Sequence, residues 1–179
     1  MLMTACSASR GAGGASDANK GVTEDRDPAF LVERGKAFAA AGDLVRAEQY
    51  LAAALTVGGD ERVVVPLLVR VCVASHHYRL ASDYADQLLA RNPNDSRLRL
   101  LVGALYVSIG SPARAREHLE RAARELPSDG DVQFAVAVFF RDDLADKAAA
   151  DPYFREYLRL QGNGAHAAEA RASLMERVQ

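Results

Sequence analysis

Residues of matching size and kind return every 34 positions along most of this chain, and no other feature constrains its fold so tightly. Pro93 and Pro127 stand one period apart; Ala47, Ala81 and Ala115 keep the same step, as do Gly42, His76 and Gly110. So do Phe38, Cys72 and Tyr106, then Leu51, Ala85 and Leu119, and then Gly35, Val69 and Gly103. The period marks out units 28–61, 62–95 and 96–129. Within each unit apolar residues fall at three-to-four spacing, break at a turn such as Gly42-Asp43, and resume. That pattern predicts two amphipathic helices per unit. Gly42 suits the left-handed backbone that ends a helix, and Asp43 can cap the next one. In the third unit Ser111-Pro112 offers a cap and a first helical residue. One such pair cannot bury its apolar face alone, so consecutive pairs are expected to stack and share a core.

The small residues have a packing reason: Gly35 and Gly103 in the first helix, with Ala47, Ala81 and Ala115 in the second, let two backbones approach closely. These residues and their spacing resemble the tetratricopeptide-repeat family. The third unit reads Gly103, Tyr106, Gly110, Ala115, Leu119, Ala122 and Pro127; the first reads Gly35, Phe38, Gly42, Ala47, Leu51 and Ala54, with Gly59 where proline is usual. The second departs at Val69, Cys72 and His76, while Tyr78, Ala81, Leu88 and Pro93 fit. Tryptophan is absent and Arg34 takes a usual leucine position. The resemblance implies an all-α, right-handed superhelix of about four helix pairs plus a C-terminal capping helix. Gly35, Ala47, Ala81, Gly103, Tyr106, Ala115, Pro93 and Pro127 are then its repeat-packing positions.

A looser fourth unit, 130–163, carries Val132, Phe134, Val136 and Phe140, then Ala150, Phe154, Tyr157 and Leu158. Its second half runs one residue late, so the turn between its helices is expected to hold an extra residue, and Pro152 either starts or kinks the second helix. The alanine-rich segment 164–179 reads as the solvating end helix such arrays need.

Family resemblance further implies that the concave face binds peptides or helices of partner proteins. The phase of the repeat gives its lining: Lys36, Val63, Arg70, Val73, Arg97, Leu100, Ala104, Val107, Phe134, Val138 and Arg141. Such an apolar groove with spaced cations suits an extended or helical protein segment with apolar anchors and carboxylates. The plainer alternative is that several of these residues finish the core and the arginines are solvated. Val32, Lys36 and Leu67 stand at three positions of the carboxylate clamp of chaperone-binding relatives, and only Arg97 fits it, so chaperone tails are not expected.

Other chemistry finds little support. A length of 179 residues fits one domain, and 22 Lys and Arg against 24 Asp and Glu leave a net charge of −2, which argues against nucleic acid. The longest apolar run, Val63 to Ala74, is too short for a membrane span and carries Arg70. Cys72 and His76 are four apart, but the phase puts Cys72 in the core and His76-His77 in a turn, with no second cluster to complete a metal site. Ser75, His76 and Asp83 have no nucleophile elbow, and GAGGAS follows no strand and lacks the phosphate-loop ending. The expectation is a non-catalytic protein with no cofactor, metal or small-molecule substrate.

The opening MLMTACSASRGAGGASDANKG shows neither helical nor strand pattern. Its Met3-Thr4-Ala5-Cys6 resembles the lipobox of bacterial lipoproteins, where small residues admit a signal peptidase and the cysteine thiol carries diacylglycerol. The resemblance implies lipid attachment at Cys6, with 1–27 as tail and linker, and a serine after the cysteine matches the outer-membrane sorting pattern. Roughly 22 residues of flexible chain would span about 25 Å. Five residues precede Cys6, short of the basic start and roughly 7–15 apolar residues of a signal, so this reading places the true start upstream. It expects an outer-membrane anchor facing the periplasm, in envelope-complex assembly. A pilotin-like role in type IV pilus assembly is an analogy of architecture alone. The alternative is a cytoplasmic adaptor or regulatory module without a lipid.

Overall fold

Aspartates mark where helices begin. Asp27, Asp43, Asp95, Asp129 and Asp146 each accept a bond from a backbone N–H in the following turn, at 2.9–3.4 Å, satisfying donors that a helix start otherwise leaves bare. The computed structural model describes residues 27–175, all helix and turn, with no strand among them. The helices are α1 (Pro28–Ala40), α2 (Leu44–Thr56), α3 (Glu61–Ala74), α4 (Tyr78–Arg91), α5 (Ser96–Ser108), α6 (Pro112–Glu125), α7 (Gly130–Val138), α8 (Lys147–Leu160) and α9 (Ala167–Ser173). A π-helical turn, Phe139–Asp143, extends α7. Two compact units result, divided after Asp60, where the length suggested one domain. Repeat arrays hold contacts between neighbouring helices, so a partition at a repeat boundary is natural. The first unit holds α1 paired with α2. The second holds the pairs α3–α4, α5–α6 and α7–α8, closed by α9. None of these helices is long and apolar enough to cross a membrane.

Each turn within a pair places one residue in the left-handed region: Gly42 (φ 78°), His76 (59°), Gly110 (74°) and Ala145 (53°). Ser111 and Pro112 occupy the N-cap and the first turn of α6, although the Ser111 hydroxyl makes no cap bond. The close approach inside pairs is equally concrete. A Cβ on Gly35 would lie 2.7 Å from Leu51, and one on Gly103 2.7 Å from Leu119. The second pair exchanges sizes, with buried Val69 in the glycine place and buried Ala85 in the leucine place. Ala47, Ala81 and Ala115 are fully buried, whereas Pro93 and Pro127 sit exposed in the loops between pairs.

The extra residue of the fourth pair lies in the helix, which corrects the expectation of a longer turn. In the first three pairs the backbone N–H of Asp43, His77 and Ser111 closes on the carbonyl five residues back, at Phe38, Cys72 and Tyr106. In the fourth, Asp146 closes on Phe140, six residues back, and Leu144 bonds Phe139 in π fashion. Leu144-Ala145-Asp146 then repeats the turn Ile109-Gly110-Ser111 without lengthening it. Pro152 lies inside α8 rather than at its start.

Candidate protein-interaction face

The first helices of the second unit expose continuous stripes. On α3 the exposed residues Val63, Pro66, Arg70 and Val73 recur at helical spacing, and on α5 Arg97, Leu101, Ala104 and Ser108 do the same. Between them lies an open cleft of about 810 Å³, lined by Arg62 and Pro66 of α3, Leu88 and Arg91 of α4, the loop Asn92–Asp95, and Arg97, Leu98 and Leu101 of α5. Its walls combine apolar surface from Pro66, Leu98 and Leu101 with three guanidinium groups. Arg91 pairs with Glu61, and Arg97 reaches Asp129 at 2.9 Å while its side chain stays 80% exposed. Arg70, farther along α3, has no hydrogen-bond or ionic partner among the described residues.

A charge network fixes the α5 wall. The buried Arg99 donates to Glu125 of α6 at 3.1 Å and to the Pro93 carbonyl of the preceding loop. Glu125 also accepts from Ser96 at 2.7 Å and Arg121 at 2.8 Å. Hydrogen bonds from Ser96, then from Arg121 and Arg99, hold the Glu125 carboxyl down to about 2. Tyr106 ties three helices, donating to Asp86 of α4 and accepting from Arg114 of α6 at 3.0 Å. Burial, followed by the Asp86 bond, pushes its hydroxyl above the ordinary tyrosine value. The His118 ring stacks on it at 5.6 Å.

The structure sorts the residues named from the repeat phase. Arg97 lines the cleft, Arg70 and Val73 extend the α3 stripe, and Leu100 and Val107 are half-buried beside the α5 stripe. Lys36 belongs to the first unit, where it is exposed and pairs with Glu33 at 2.8 Å. Phe134 and Arg141 are corrections, because the C-terminal segment covers both. Phe134 packs under the His166 ring at 4.1 Å, and Arg141 donates to Glu169 at 2.8 Å and Ser173 at 2.7 Å. The repeat phase gave their direction but carried no information on the segment beyond the fourth pair. Missed altogether were Arg62, Pro66, Arg91, Leu98 and Leu101. Leu101, four residues after Arg97, was findable from helical spacing. Arg91 was not, since it enters from the end of a second helix. Cys6 lies outside the described residues. Cys72 is buried, His76 bonds the Tyr78 hydroxyl at 3.0 Å in its turn, and no cluster that could hold a metal ion occurs among the described residues.

Solved structures with the same chain path decide the fold. YrrB, a TPR protein with an unusual peptide-binding site, superposes with a TM-score of 0.71 at 17% identity, covering 83% of this chain and 76% of its own. The chain has the tetratricopeptide-repeat fold. A second TPR structure, MamA (41-end) from Desulfovibrio magneticus RS-1, gives 0.68 at 22% identity over 79% of this chain and 80% of its own. A tetratricopeptide repeat protein from Parabacteroides merdae ATCC 43184 gives 0.72 at 19% identity, with 82% of this chain and 58% of its own covered. No family model matches the sequence, and no curated protein matches it significantly. At these identities the TPR likeness is one of fold, so the function has to be argued from the face itself.

Proposed function

We propose that this chain is a non-catalytic scaffold that holds a segment of a partner protein on the first-helix face of its second unit. The carrying observation is the open cleft between α3 and α5, where Arg62, Arg91 and Arg97 surround Pro66, Leu98 and Leu101. Apolar walls give a partner segment surface to bury, and the guanidinium groups choose carboxylates at its edges. YrrB, described as having a peptide-binding site, supports the reading by its fold. The test is selection from a displayed random-peptide library, followed by titration of the enriched peptides against variants. Peptides combining acidic and large apolar residues are expected. Arg70→Glu and Leu101→Asp should each weaken binding by about tenfold or more, with circular dichroism unchanged. Both side chains are exposed, so neither change disturbs the core. Unchanged binding to both variants would sink the assignment of this face.

The placement proposed with it is an envelope lipoprotein tethered through Cys6. Support comes from the Thr4-Ala5-Cys6 motif and the polar stretch after it. The mass of the mature N-terminus, from the gene expressed with its upstream region, tests this directly. An acylated peptide beginning at Cys6 is expected; an unmodified one beginning at Met1 in the soluble fraction would favour a cytoplasmic adaptor.

A further inference from the structure

α9 closes the second unit with few apolar side chains of its own, and the ring of His166 at its N-cap stacks on Phe134 at 4.1 Å. Its seven residues bury Ala167 and Ala170 alone, and a helix so short is marginal without outside support. Polar bonds provide that support. Arg141 holds Glu169 and Ser173, the Tyr157 hydroxyl accepts from the His166 backbone N–H at 3.0 Å, and Asp151 accepts from the Met175 N–H at 2.9 Å. The Glu169 and Met175 bonds are exposed to solvent, where such contacts hold weakly. The surface beneath is far richer. Phe134 meets Phe154 and Tyr157 at ring separations of 5.9 and 5.1 Å, and the Arg141 guanidinium lies 5.3 Å from the Phe154 ring. Aromatic rings beside an arginine are the material of interface hot spots.

Comparison with the interior pairs sharpens the contrast. The fourth residue of α5 is Arg99 and that of α7 is Gln133, both buried. Arg99 reaches the Pro93 carbonyl, and Gln133 reaches the carbonyls of Ala123 and Leu126 at 3.3 Å. The fourth residue of α9 is Ala170, a buried methyl with no such reach. α9 therefore occupies the place of a further repeat's first helix with a much smaller set of side chains.

We infer that α9 is a displaceable stand-in, and that the surface under it docks an amphipathic helix of a partner protein. The pattern of α9 specifies that helix: a ring where His166 stands, apolar residues one and four positions on, and a carboxylate three positions on to meet Arg141. A partner helix longer than the seven residues of α9 buries more surface while keeping the small residues at the contact and the charge pair. This surface is separate from the α3–α5 cleft and does not depend on it.

The probe is a fluorescent peptide of residues 164–175, titrated against the full chain, with hydrogen exchange read by mass spectrometry. Local opening should make α9 amides exchange roughly 100-fold faster than those of α8. Glu169→Ala in the chain loosens α9 but leaves Arg141 available, so it should tighten peptide binding about fivefold. Adding Arg141→Ala should remove that gain. A peptide carrying Ala170→Leu, a side chain too large for that fully buried contact, should fail to bind, with circular dichroism confirming that each chain variant is folded. Exchange of α9 in step with α8, or binding indifferent to Glu169→Ala and to Ala170→Leu in the peptide, overturns the inference. Self-association in sedimentation that the Glu169→Ala chain strengthens would make the occupant a second copy, and that too overturns the assignment to a foreign helix.

Discussion

Glu125 shows how much one side chain can organise. It accepts from Ser96, Arg99 and Arg121, and it is the carboxylate that pairs with the buried Arg99. The carboxyl lies at about 2 in the fold against an ordinary 4.5. Because the folded value is the lower one, its contribution is complete above about pH 4.5 and is lost as pH falls toward 2. Glu125→Gln should lower stability at pH 7 by about 1–3 kcal/mol, the cost of leaving a buried charged donor badly paired. The gap between variant and parent should close as urea titrations move from pH 5 to pH 2; a gap that persists unchanged would show that the carboxylate charge is not the cause. His76 illustrates the converse, a residue doing a glycine's work. Its φ of 59° matches the place of Gly42 and Gly110, and the side chain is retained there at a backbone cost that glycine avoids.

At the scale of elements, Pro66 in α3, Pro152 in α8 and the π-helical turn after α7 depart from the rules of helix interiors. Pro66 lies inside α3, where its ring cannot donate to the Arg62 carbonyl one turn back. It is exposed and lines the cleft, so stability is surrendered at the place where a rigid apolar surface is useful. Pro66→Ala should raise stability by about 2 kcal/mol in urea denaturation and weaken peptide capture. A gain in stability with capture unchanged would leave Pro66 without a role in the cleft. The π-helical turn at Phe139–Asp143 departs in a different way. It absorbs one residue, restores the phase of α8, and carries Arg141, whose bonds to Glu169 and Ser173 hold the C-terminal helix.

For the whole molecule, net charge misleads. The chain carries −2, yet Arg62, Arg70, Arg91 and Arg97 lie on one face of the second unit, with Glu61 and Asp129 paired to two of them and Asp95 beside them. Local potential, not the total, steers association. Association of an acidic peptide with this face should therefore slow about tenfold between roughly 0.05 and 0.5 M salt, as the Debye length shrinks to a few ångströms. Stopped-flow rates indifferent to salt would mean that apolar contact alone drives capture.

The period of 34 made the fold legible, because stacking demands the same small residues at the same places: Gly35 against Leu51 and Gly103 against Leu119 are contacts that a larger side chain would forbid. Even the departure at Val69 is consistent, since Ala85 returns the space. The direction of the first-helix stripes was legible for the same reason, through Arg70, Val73 and Arg97. Tertiary structure alone decided which of those residues stay open. Periodicity specifies how each pair packs on the next, and says nothing of a last pair with no successor. Phe134 and Arg141 thus pointed outward by phase and were covered by α9, whose few contacts depend on Arg141 meeting Glu169 and Ser173 about thirty residues away in sequence. Arg91 joined the cleft in the same way, brought there by the loop between pairs rather than by any pattern along its own helix.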